Sequence, residues 1–228
     1  MNSVEITVDQ PDALAHDAPP KTASAASGEE ELFALPLSLA QERMFAADRQ
    51  CPGNAAYNAS FRLRLEGPLD AALFDKVIGE IVRRHEILRT TFISSGGQAV
   101  QLIRPWVDVP VTVEDLRGLP ASGRQAVMER LCGEEARQPF DLSTGPLIRV
   151  RLLQLDEDDY VLTLTLHHIV CDGWSIGILL SEIENIYRAY AAGKPSPLSE
   201  PSIQYADYVL WQKDWLETAD LIGQIVYW

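Results

Sequence analysis

Apolar and polar residues alternate most strictly over Val161-Leu162-Thr163-Leu164-Thr165-Leu166. A period of two predicts a β-strand with Leu162, Leu164 and Leu166 on one face. Asp172-Gly173 breaks that pattern. Beyond it Ile176, Leu179, Leu180, Ile183 and Tyr187 recur at helical spacing, and Gly193-Lys194-Pro195 ends the helix they predict. Residues 147–155 and 160–166 read as a hairpin around the acidic turn 156–159. Residues 58–66 form a half-buried strand, with Phe61, Leu63 and Leu65 on one side and Arg62, Arg64 and Glu66 on the other. Asp70 caps a helix carrying Leu73, Val77 and Ile81, which runs into the segment 83–92. Ser38, with Gln41 three residues on, is a capping box for a short helix bearing Gln41, Arg43, Met44 and Phe45. Strands are expected at 99–103 and at 107–113, where Val109, Val111 and Val113 alternate. An amphipathic helix is expected at 121–137, before a break at 139–143. After a Pro/Ser-rich link (195–202), a last helix carries Tyr205, Tyr208, Trp211 and Trp215, aromatics read as packing residues. Residues 1–32 show scattered hydrophobes around Pro19-Pro20 and Ser24-Ala25-Ala26-Ser27-Gly28 and read as a disordered linker. The interleaved helices and strands predict an α+β class, a layered α/β sandwich with a mixed sheet and flanking helices.

Composition narrows the function classes. The 228 residues carry 33 acidic and 19 basic side chains, a net charge of −14, which argues against a nucleic-acid partner. No run approaches the ~18 apolar residues of a membrane helix. No basic segment followed by an apolar one opens the chain, so neither membrane nor secretory targeting is predicted. Cys51, Cys132 and Cys171 are odd in number and far apart. They read as reduced thiols of a cytoplasmic protein.

The candidate chemistry sits at the end of the first strand described, at His167-His168. Histidine is the natural general base near neutral pH. Two adjacent histidines on an extended chain point to opposite faces and do not chelate one ion, and no metal motif is present elsewhere. No Gly-x-Ser-x-Gly elbow supports a serine-hydrolase triad. Asp172 either holds the turn through backbone N–H groups or pairs with an arginine; both would fix the loop that aims His168.

The segment His167-His168-Ile169-Val170-Cys171-Asp172-Gly173-Trp174-Ser175 resembles the signature of nonribosomal peptide synthetase condensation domains. Three further segments resemble that family's motifs, in order: 38–45, 84–92 (Arg84-His85-Glu86-Ile87-Leu88-Arg89-Thr90-Thr91-Phe92) and 205–211 (Tyr205-Ala206-Asp207-Tyr208-Val209-Leu210-Trp211). The resemblance implies a chloramphenicol-acetyltransferase-like lobe over residues 33–228, one half of a V-shaped domain whose C-terminal lobe is expected to be absent. It implies amide formation by attack of an acceptor aminoacyl amine on a donor acyl or peptidyl thioester. Both substrates ride on the phosphopantetheine arms of upstream and downstream carrier proteins, with no cofactor bound by the domain itself and an adenylation domain expected in the full protein. His168 matches the family's catalytic position, as base or as the group that positions the amine and stabilises the tetrahedral intermediate. His167 is implied to be supportive. Asp172 matches a structural aspartate that pairs with an arginine, and Gly173 the glycine whose backbone N–H lies near the donor carbonyl. Arg84 and Arg89 are read as structural ion-pair residues, His85 as a packed or capping residue, and Cys171 as a small-residue position rather than a nucleophile. A stand-alone acyltransferase of the same fold and a non-catalytic interaction fragment are the alternatives. A single lobe is expected not to condense substrates at useful rates, since proximity needs both walls of the tunnel.

Overall fold

The computed structural model describes residues 33–218. The linker expected over 1–32 and the end of the chain at Tyr227-Trp228 lie outside the described residues.

The main sheet has four strands in the order β2-β7-β6-β5. β2 (Asn58–Glu66) and β6 (Ile148–Asp156) flank the central β7 (Asp159–His167), both antiparallel to it. β7 is buried from Tyr160 to His167, because it is covered on both faces. Leu162, Leu164 and Leu166 face a core built with Phe74, Val77, Ile78 and Ile81 of α2 (Ala71–Arg84) and Ile176, Leu179, Ile183 and Ile186 of α4 (Gly173–Ala191). On the other face Val161, Leu153 and Leu155 pack on Met128, Leu131 and Cys132 of α3 (Ala121–Arg137). The result is a helix–sheet–helix sandwich of mixed pairing, the class expected.

The hairpin, the strand at 58–66 and the helices start where their patterns place them. Asp70 caps α2 by accepting from the Leu73 N–H at 3.0 Å. Ser38 and Gln41 form the capping box of α1 (Leu39–Gln50). α4 ends in Gly193 at φ +67°, a left-handed position suited to glycine after a helix.

Three expectations are corrected. The segment after α2 is not helical: Glu86–Arg89 is a short 3-10 turn, and β3 (Thr90–Ser95) follows. β3 turns at Gly96-Gly97, both at positive φ, into β4 (Gln98–Ile103), with Ser95 opposite Gln98. That is the two-residue hairpin glycine pairs favour. β4 also pairs with β1 (Phe33–Pro36), a strand with no visible alternation, to complete a three-stranded sheet. Second, the strand expected at 107–113 is shifted to β5 (Val111–Asp115), parallel to β6. Pro110 cannot donate to a ladder, and Val113 is exposed while Val109 is buried. Third, α5 (Tyr205–Thr218) buries Ala206 and Val209 rather than its aromatics. Trp211 is 58% exposed, in a row of ring contacts from Tyr205 through Tyr208 and Trp211 to Trp215.

Candidate active site

β7 delivers the two histidines into different surroundings. The His167 N–H donates to Leu147 O at 3.0 Å on the β6 side, and the His168 N–H to Tyr57 O at 2.8 Å on the β2 side. The strand pattern therefore extends through both residues, and their side chains diverge. His167 is only 2% exposed, with its ring against Tyr57 and Phe140. Burial, and secondarily the neighbouring His168, hold it down to about 4, so it is neutral at physiological pH. Its Nδ1 accepts the Ile169 N–H at 3.1 Å, and its carbonyl accepts the Val170 N–H at 3.0 Å, closing the turn that ends the strand.

His168 is exposed. Its Nδ1 donates to Cys171 O at 3.3 Å. A carbonyl only accepts, so that bond leaves the proton on Nδ1 and the lone pair on Nε2. Cys171 is half-buried, and its Sγ donates to His167 O at 3.6 Å. Burial, with Asp172 adding, pushes its thiol up to about 12, which keeps it protonated and poorly nucleophilic.

Asp172 is the N-cap of α4. Its Oδ1 accepts the Ser175 N–H at 2.8 Å and the Ser175 hydroxyl at 2.5 Å, and the Asp172 N–H returns to Ser175 Oγ at 3.4 Å. The Ser175 side chain, then the backbone bonds, hold this carboxyl below its usual range. Of the two roles open to Asp172, the backbone one is made, and among the described residues no arginine pairs with it. Gly173 opens α4, where helix N–H groups lack intrahelical acceptors. A Cβ there would meet nothing within 4 Å, so this side of the helix start is open.

A cavity of about 350 Å³ adjoins His168. Gln41 and Met44 of α1, His85, Leu166 of β7, Leu179 of α4 and Tyr205 of α5 are among its walls, and the lining is mostly apolar. Ser38 Oγ and Tyr205 OH are 2.9 Å apart, tying the start of α1 to the start of α5. All four motif segments thus meet around one space. His85, read from sequence as a packing or capping residue, both caps α2 and lines the cavity, with Nε2 2.7 Å from Glu182 Oε2. Arg84 is 3% exposed and pairs with the same carboxylate at 3.3 Å, while its guanidinium donates to Ser199 O at 2.9 Å. Arg89 pairs with Glu86 at 3.3 Å and donates to Arg104 O. Glu182 carried no local signal: it sits on the polar side of α4, and only the crossing of α2 and α4 makes it a partner. Among the described residues, no group of His, Cys, Asp and Glu is arranged to hold a metal ion.

The model of the family described as Condensation domain matches residues 33–228. This chain belongs to that family. The condensation-domain chain is 47% identical over 194 residues to a linear gramicidin synthase of Brevibacillus parabrevis, covering 85% of this chain and 4% of that protein. It is 43% identical to phosphinothricin tripeptide synthetase PhsC of Streptomyces viridochromogenes, covering 85% of this chain and 18% of that protein. The X-domain from teicoplanin biosynthesis is similar in structure at TM-score 0.75 and 27% identity, over 92% of this chain and 44% of that one. The starter condensation domain of rhizomide synthetase shares the fold at TM-score 0.78 and 22% identity, over 86% of this chain and 47% of that one. This condensation-domain chain thus spans a small share of the curated synthetases it matches and under half of either solved chain.

Proposed function

We infer that this chain is the N-terminal lobe of a nonribosomal peptide synthetase condensation domain and carries that domain's catalytic histidine. The acceptor amine nitrogen attacks the donor thioester carbon. A C–N bond forms, the carbonyl becomes an oxyanion, and the C–S bond then breaks. The proton lost by the amine passes to His168 Nε2 and from there to the departing thiol sulfur, so the step needs no outside oxidant or reductant. His168 is the residue that touches the reacting atoms, as base or as the group that holds the amine. His167 supports it, Asp172 fixes the start of α4, and Gly173 leaves the first N–H groups of that helix open to the oxyanion. The donor and acceptor arrive as thioesters on the phosphopantetheine arms of carrier proteins. An adenylation domain in the full protein would load the acceptor, and a second lobe would form the opposite wall.

The observation that carries this reading is the convergence of four separated motifs on one cavity beside an exposed His168 with its Nε2 lone pair free of the Cys171 contact. The test is amide formation by the complete domain with loaded carrier proteins, His168→Ala against wild type. A loss of roughly two orders of magnitude or more with folding intact is expected. Near-wild-type turnover would reduce His168 to scaffold and leave tethered proximity as the catalyst.

A further inference from the structure

His167 takes no part in the proton transfer, yet it is the more tightly enclosed of the pair. Its ring lies 5.9 Å from that of Tyr57 and 6.3 Å from that of Phe140, perpendicular to the latter. Phe140 is itself held: the Arg149 guanidinium lies 3.7 Å from its ring centre. Arg149 is anchored in turn, through Nε to Glu135 Oε1 at 2.5 Å and through a terminal nitrogen to Gln138 O at 2.7 Å. Glu135, 4% exposed, is also bound by Arg151 at 3.1 Å. Four elements therefore converge behind the histidine: α3 supplies Glu135, the segment after it Phe140, β6 Arg149 and Arg151, and β7 His167.

A cation over an aromatic face restricts that ring, and a perpendicular ring pair restricts its neighbour. The restricted neighbour here is an imidazole whose Nδ1 receives the Ile169 N–H at 3.1 Å. Ile169 directly follows His168, so the orientation of the His167 ring sets the direction in which the chain leaves His168. The same turn carries Cys171 O, the acceptor for His168 Nδ1. We propose that Phe140, held by the Arg149 guanidinium, is a positioning residue for His168, acting through the His167 ring and the Ile169 amide. Its consequence for turnover rests on the role assigned to His168; the positioning itself does not.

The experiment is imidazole ¹⁵N spectroscopy and amide hydrogen exchange on the isotopically labelled 228-residue chain, as wild type, Phe140→Leu and Arg149→Met. In the wild type His167 is expected to show a bare Nδ1 and His168 a protonated one. In Phe140→Leu the Ile169 amide is expected to exchange roughly tenfold faster, and both histidine signatures to shift toward tautomer mixtures. The Leu164 amide, in the middle of β7, should keep its protection. Arg149→Met should change the same signals in the same direction, and it decides the matter if Phe140→Leu does not fold. Unchanged Ile169 exchange and unchanged histidine shifts in a folded variant would overturn the proposal. An inert His168→Ala substitution in the complete domain would instead remove the catalytic reading and leave these signals as they are.

Discussion

Two neighbouring histidines differ here because a strand presents successive side chains to different environments. His167 is sealed among rings and stays neutral to about pH 4; His168 faces the cavity. The difference has a measurable consequence for stability. In the unfolded chain His167 titrates near its ordinary 6.5, and in the folded chain near 4. Between these values the unfolded state binds a proton that the folded state refuses. Stability contributed by His167 is therefore complete above about pH 6.5 and falls as the pH drops toward 4, by about 3 kcal/mol at most. Urea midpoints measured across this range should decline more steeply in the wild type than in His167→Gln. Parallel declines would mean that the imidazole is charged in the folded chain. The opposite faces of the pair were legible in the sequence, since period two dictates them. Which of the two is buried was not, because Tyr57 and Phe140 lie 110 and 27 residues upstream of His167.

Among the elements, the crossing of α2 and α4 is locked by charge. Arg84 and His85 at the end of α2 share Glu182 of α4, and Arg84 also binds the 195–202 link through Ser199 O. Gln204 extends the tie by donating to Arg84 O at 2.9 Å and accepting the Glu86 N–H at 3.1 Å, just ahead of α5. Burial pushes the Glu182 carboxyl up, but the hydrogen bonds from His85 and Arg84 and their charges more than offset it, so it is ionised. Glu182→Ala would leave a buried guanidinium without its carboxylate. A destabilisation of about 3–5 kcal/mol is expected, read as a drop in thermal midpoint; a change within 1 kcal/mol would show the pair to be incidental. The cap and hairpin signals at Ser38, Asp70 and 156–159 were readable because they act over a few residues. β3 was hidden because Arg83–Phe92 continues a helical pattern in composition, and only the Gly96-Gly97 turn and the β-branched Thr90, Thr91 and Ile93 speak for a strand. The aromatics of α5 misled in the opposite sense: residue type suggested core, whereas the helix turns its small Ala206 and Val209 inward.

For the molecule as a whole, the four motif segments are scattered from Ser38 to Trp211, and the fold gathers Gln41, His85, His168 and Tyr205 around one cavity. Trp174, 83% exposed next to Gly173, and Trp211 present large apolar surfaces near or beyond it. Incubated with donor- and acceptor-loaded carrier proteins, the 228-residue chain alone is expected to form no amide above background. The lobe supplies His168 but not the second wall that aligns two tethered substrates. Amide product at rates comparable to a complete domain would refute this.

The sequence alone determined the strand that ends in the double histidine, the helix that follows Asp172, the main hairpin and the motifs that mark a condensation domain. Each of these is written in periodicity or in contiguous residues. The tertiary structure decided the rest: the parallel pairing of β5, the burial of His167 behind Phe140 and Arg149, Glu182 as joint partner of Arg84 and His85, and the cavity itself. All of these depend on residues far apart in the chain whose packing no local pattern encodes.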